Sequence, residues 1–218
     1  METTVTSKPR VTQCQKPSGF IGQFVLRNMN SRHSKVTDWG LAHVTIEKDF
    51  TILDVGCGGG RTVNKLARLA TEGKVYGIDF SSASVAFATK LNKDTIAAGR
   101  LEIREASVSQ MPFATGTFDL VTAVETHFWW PDLPTDSCEV HRVLKPGGRL
   151  AIIAEVYKGA NTTTARLAEK YLPMTGMKML TADEHRNLLT QAGFTDVIVD
   201  VDPDKGWIFA AGKKSFQV

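Results

Sequence analysis

The run Thr51-Ile52-Leu53-Asp54-Val55-Gly56-Cys57-Gly58-Gly59-Gly60-Arg61 constrains the fold of this chain more than any other stretch. Ile52, Leu53 and Val55 form a short apolar run without strict alternation, the mark of a parallel strand buried on both faces. Glycines without side chains then give a sharp turn in which bare backbone can approach a ligand at the carboxyl end of that strand. A nucleotide-like ligand fits this arrangement. A dinucleotide fingerprint places its third glycine at the sixth position from Gly56, but Arg61 stands there, and no Gly-Lys-Ser/Thr follows as in a phosphate-binding loop. Asp54 directly before the turn repels a phosphate and suits an ammonium group. The motif therefore favours a cationic ligand without phosphates.

Asp54-Val55-Gly56-Cys57-Gly58-Gly59-Gly60 resembles motif I of the class I S-adenosylmethionine-dependent methyltransferases, and further segments match in order. Phe118 to Glu125 resembles motif IV. Val143 to Gly148, leading into Leu150 to Glu155, resembles another characteristic segment of the family. Met29-Asn30-x-x-His33 with Trp39-Gly40-Leu41 is similar to the N-terminal helices of the ubiquinone- and menaquinone-biosynthesis members. The resemblance spans roughly residues 19–214. It implies S-adenosyl-L-methionine as cofactor, S-adenosyl-L-homocysteine as product and a small, partly apolar methyl acceptor. Asp54, Gly56, Cys57, Gly58, Gly60 and Glu125 would then surround the methionine end, Asp79 would accept from the ribose, and Phe80, Ser107 and Val108 would border the adenine. Ser107 stands where the family usually carries an acid, so a charged adenine contact is replaced by a hydroxyl. His127 and His33 are the candidate bases. Two other readings stay open: a non-catalytic S-adenosylmethionine-binding protein, and a nicotinamide-dependent oxidoreductase disfavoured by Arg61.

Alternating patterns of strand and helix predict an α/β, three-layer, Rossmann-like doubly wound sheet. Seven strands are expected, mostly parallel, with a C-terminal antiparallel hairpin across Thr195–Val201 and Trp207–Lys213. One long helix is expected between Ser81 and Gly99, and Lys145-Pro146-Gly147-Gly148 reads as a turn. Residues 1–17 are expected to form a flexible tail and 18–48 a helical lid, leaving 49–218 for the cofactor-binding domain, in which 158–180 is a polar, then Met-rich, substrate-covering insertion. Thr181 and Glu184 have capping-box spacing.

With 218 residues, one domain with a substantial core is expected. A balance of 26 Lys+Arg against 23 Asp+Glu is too even to point to nucleic acid. Three scattered cysteines fit a reducing compartment, no apolar run suits a membrane span, and the first residues lack a signal-peptide core, so a cytoplasmic protein is expected. A homodimer is compatible with these features. Cys138 and His141 have metal-ligand spacing but no second pair, so no metal site is expected.

Overall fold

The computed structural model describes residues 33–216. The expected tail and residues 18–32 of the expected lid lie outside that range. The remainder of the lid contributes α1 (Ser34–Leu41). There follow β1 (Thr51–Val55), α2 (Arg61–Leu69), β2 (Lys74–Asp79), α3 (Ser82–Leu91), α4 (Lys93–Ala97), β3 (Leu101–Glu105), β4 (Phe118–Val124), a single 3-10 turn at His127–Trp129, and α5 (Leu133–Val143). The chain continues through β5 (Leu144–Ala154), α6 (Thr163–Thr175), α7 (Ala182–Gln191), β6 (Phe194–Asp202) and β7 (Trp207–Lys214).

The strands form a seven-stranded sheet in the order β3-β2-β1-β4-β5-β7-β6. The first five run parallel, and β7 lies antiparallel between β5 and β6. Neighbours along β1 divide between the two faces. Leu53 and Val55 pack with α5 and α7, through Leu133, Val140 and Leu189, whereas Ile52 packs with α1 and α2, through Val36, Val63 and Leu66. The apolar, non-alternating sequence of β1 follows from this double covering. Each fully buried Ile or Leu contributes about 1.5–3 kcal/mol, so the covered strands supply much of the stability that fixes the loops at their ends.

The order reverses between β1 and β4, whose residues Asp54 and Thr122 lie in register. Loops leaving the carboxyl ends of two such strands diverge to opposite faces and leave a crevice between them. Gly56 and Glu125 leave the sheet at this point.

Three elements differ from the sequence expectation. The helix after Ser81 breaks at Asn92, whose buried amide donates to the carbonyls of Ala88 (2.9 Å) and Gly60 (3.0 Å). Lys145–Gly148 is absorbed into an eleven-residue β5 as an irregularity opposite Phe118 and Leu120. Residues 158–180 contain the thirteen-residue α6, begun by the Thr162 hydroxyl accepting from the Ala165 N–H. Its only buried residue is Ala165, and Leu167, Tyr171 and Met174 are exposed, so no inward-facing apolar stripe announces it. The expected caps at Ser81 and at Thr181 with Glu184 are formed.

Candidate active site

A cavity of about 740 Å³ opens at the switch point. Its floor is Gly56 to Gly59 with Val124 and Glu125; His33, Thr37 and Asp38 form one wall, and Arg61, Lys65 and Arg68, on one stripe of α2, form another. Lys65 pairs with Asp38 across it.

The glycine loop is bound inward at almost every amide. The N–H groups of Gly56 and Cys57 both donate to the Ile78 carbonyl, at 2.8 and 2.9 Å, and Gly60 donates to Cys57. Gly58 donates to Asp79 Oδ2 at 2.9 Å, while Ser81 donates to Asp79 Oδ1 at 2.9 Å. Asp79 thus joins the end of β2 to the glycine turn. Gly56 is at φ 72°, and a Cβ there would lie 2.0 Å from Thr126 Oγ1. Above Gly58 a Cβ would meet only a backbone oxygen at 4.0 Å, so the floor of the cavity is open at that residue. Asn92 closes the arrangement from α3, accepting from Asn64 Nδ2 at 2.8 Å while it holds Gly60.

Beneath the loop lies concentrated negative charge. Asp54 is 2 % exposed, and Thr122 donates to its Oδ1 at 2.6 Å. Burial pushes its carboxyl up to about 7, Asp79 adds to the rise and the Thr122 hydroxyl opposes it. Asp79 is also raised, first by burial, against the lowering effect of the Ser81 and Gly58 amides. Burial and the same two acids hold the Cys57 thiol well above its usual range, which leaves it protonated and unreactive. Among the described residues, no cation contributes to the shift of either carboxyl.

The remaining sequence-derived candidates fall into two groups. Glu125 and His33 line the cavity. Glu125 holds the left-handed region at φ 58°, uncommon for a residue with a side chain, and its carboxylate accepts from the Glu155 N–H. Phe80 is exposed immediately beyond Asp79. The Ser107 hydroxyl accepts from the Ser109 N–H at 3.2 Å, and Val108 points its side chain into the core. His127 is not brought to the cavity. The 3-10 turn directs it, Phe128 and Trp130 inward, so its ring is 1 % exposed and its Nε2 lies 3.0 Å from Nε2 of His185. Burial, then His185, lowers its basicity well below the usual histidine range. The expected base at this position is replaced by a buried histidine pair.

Sequence reasoning passed over Thr122, Asn92 and Glu155. Thr122 lies inside an apolar strand pattern and Asn92 inside a helical one. Glu155, whose Oε1 is 3.6 Å from His33 Nε2, reads simply as the end of a strand.

Residues 53–152 match the family described as Methyltransferase domain. The O-methyltransferase cnsE of Penicillium expansum is 31 % identical over 150 residues, covering 69 % of this chain and 53 % of the relative. The demethylmenaquinone methyltransferase of Lactiplantibacillus plantarum is 33 % identical over 114 residues, covering 52 % and 48 %. This chain thus spans about half the length of these curated relatives. Among solved structures, the methyltransferase in complex with the Haloferax volcanii Trm112 activator superposes with a TM-score of 0.74 at 20 % identity, covering 88 % of this chain and 94 % of that one.

Proposed function

We propose that this chain is a class I S-adenosylmethionine-dependent methyltransferase, transferring a methyl group from S-adenosyl-L-methionine to a small, partly apolar acceptor and releasing S-adenosyl-L-homocysteine. The observation that carries this reading is the switch-point cavity floored by Gly56 to Gly59 and Glu125, with Asp79 anchored to the Gly58 amide beside it. A ligand with an ammonium group and a sulfonium supplies the positive charge that Asp54 lacks. In this reading Asp54, the backbone of Gly56, Cys57, Gly58 and Gly60, and Glu125 hold the methionine end. Asp79 receives the ribose hydroxyls on a carboxylate already oriented by two amides, and Phe80 covers the adenine, with Ser107 and Val108 at its edge.

Transfer is an in-line displacement. The acceptor's lone pair forms the new bond to the methyl carbon as the carbon–sulfur bond breaks and its electron pair returns to sulfur. Positive charge leaves the sulfur in the transition state, so alignment of donor and acceptor and exclusion of water contribute most of the acceleration. Where the nucleophile must lose a proton, the His33 side of the cavity receives it, since His127 is enclosed. The acid-ended wall at Glu125 and Glu155 faces the same space.

Titration calorimetry with S-adenosylhomocysteine tests the ligand. Saturable binding is expected, and no heat at millimolar ligand removes the proposal. Transfer of a labelled methyl group from S-adenosylmethionine to a panel of small phenols, amines and quinols then separates an enzyme from a binding protein. The sequestration of His127 favours that second reading if the cofactor binds and no label moves.

A further inference from the structure

The cavity continues past the glycine loop. Its lining follows α2 from Arg61 through Lys65 to Arg68 and Leu69, and meets Leu91 at the end of α3. A helix that joins two parallel strands runs back across the sheet. Arg68 therefore lies toward the amino ends of the strands, whereas Glu125 stands at their carboxyl ends. At about 1.5 Å per residue, Arg68 is rooted about 10 Å further along α2 than Arg61.

This outer end combines positive charge with open apolar surface. Two acids line the cavity, Asp38 and Glu125; the first pairs with Lys65 and the second belongs to the switch point. Among the described residues, no ion pair holds Arg61 or Arg68. Arg68 is not needed to cap its own helix either, because the Arg100 guanidinium donates to the carbonyls of Ala67 and, at 2.7 Å, of Ala70. Beside Arg68, Leu69 and Leu91 are 43 % and 51 % exposed.

We propose that this outer end is an acid-binding subsite for the methyl acceptor: Arg68 receives a carboxylate or another small oxyanion, and Leu69 and Leu91 cover the apolar segment that joins the acid to the nucleophile. The binding stands by itself, and its use rests on the methyl-transfer reading. The donor's amino-acid end, assigned to Gly56–Gly60, lies beside Arg61 and leaves Arg68 for a second anion. The acid is thereby held away from the sulfonium, so the methyl goes to a nucleophile at the other end of the acceptor, by the displacement described above. Arg68 is exposed, so its pair with an anion is partly screened. A planar guanidinium meeting both oxygens of a carboxylate still supplies a geometry that lysine lacks.

The test titrates the full chain by calorimetry, with and without saturating S-adenosylhomocysteine, using octanoate, hexanoate, octanol and octylammonium as probes. Octanoate is expected to bind saturably with millimolar affinity, about fivefold tighter than octanol, with no saturable heat from octylammonium. Hexanoate is expected to bind about fourfold more weakly than octanoate, about twofold for each CH₂ that the half-open leucines cover. Arg68→Ala should abolish the preference for octanoate over octanol, with unchanged circular dichroism and unchanged affinity for S-adenosylhomocysteine, and Arg68→Lys should restore part of it. If Arg68→Ala folds poorly, Arg68→Gln carries the comparison. Octanoate without saturable heat, octylammonium bound equally well, or an undiminished preference for octanoate in the folded variant overturns the subsite. Binding of S-adenosylhomocysteine without octanoate defeats the subsite alone. Arg68-dependent octanoate binding by a protein that takes up no S-adenosylhomocysteine keeps the subsite and defeats the methyl-donor reading.

Discussion

Replacing Asp54 by Asn should make the protein more stable above neutral pH while weakening its hold on the proposed ligand. The native carboxyl is buried, contacted by the Thr122 hydroxyl, and pushed from 3.8 up to about 7. An acid whose folded value is raised favours folding relative to its ionised form only while protonated. Its contribution is complete below about pH 3.8 and is lost as pH rises through about 7. At about 1.4 kcal/mol per unit, the displacement costs the folded state about 4 kcal/mol at pH 8. Asparagine cannot ionise and still accepts from Thr122, but its new NH₂ group lacks the partner a buried donor requires, which costs about 1–3 kcal/mol. The expected net gain is about 1–3 kcal/mol at pH 8, vanishing or reversing at pH 4. Asp79, shifted in the same direction, acts on both proteins and largely cancels in the difference. Urea denaturation of both proteins from pH 4 to 8 measures this. Parallel dependences on pH would refute the buried-acid argument. Calorimetry at pH 7 in buffers of different ionisation enthalpy gives an independent reading, because an ammonium group arriving at a half-protonated Asp54 releases protons in the wild type and not in the variant.

Asp79→Ala removes the acceptor of the Gly58 and Ser81 amides as well as the assigned ribose contact. Affinity for S-adenosylhomocysteine is expected to fall about tenfold or more, about 1.4 kcal/mol; unchanged calorimetric affinity would remove the ribose assignment. Gly56→Ala forces a Cβ to within 2.0 Å of Thr126 Oγ1 at a left-handed residue, so ligand binding and thermal stability should both drop, and a wild-type melting curve with wild-type affinity would contradict the loop geometry. His127 and His185 are both held below the usual histidine range by burial, so their contribution to stability is present above about pH 6.5 and is lost as pH falls below it. The double variant His127→Gln, His185→Gln should flatten that acid limb of the stability curve without changing affinity for S-adenosylhomocysteine; an unaltered limb would show the pair is not its source.

What the sequence made legible was local. Ile52, Leu53 and Val55 bounded by Gly56 leave little choice but a doubly covered strand, and Lys74 to Asp79 repeats the logic one unit later. Both acids consequently stand at strand ends, where a doubly wound sheet presents its crevice. The fates of His127 and Asn92 were not legible, because each is decided by a partner far along the chain. His185, which receives the His127 ring, is 58 residues away, and Gly60, which captures the Asn92 amide, is 32 residues away. An aromatic loop after β4 is readable from Phe128, Trp129 and Trp130, but not the direction in which one 3-10 turn aims it. The approach of His33 to Glu155 lay beyond reach for the same reason, since no spacing within one element brings them together.

The hydrogen bonds of the glycine turn bear on the oxidoreductase reading more directly than its consensus does. A loop that binds pyrophosphate needs N–H groups directed at the ligand, with a helix N-terminus behind them. Here the amides of Gly56 and Cys57 are spent on Ile78, that of Gly58 on Asp79 and that of Gly60 on Cys57, while Asp54 and Asp79 raise the negative potential below. The turn has therefore exchanged its capacity for anions for an anchored carboxylate. A dianionic diphosphate would have to displace Asp79 from Gly58 and approach two acids already short of compensating charge. Under the proposed reading a sulfonium nucleoside requires neither: its ribose would meet Asp79 where it stands, and its positive groups would lower the cost of keeping Asp54 ionised.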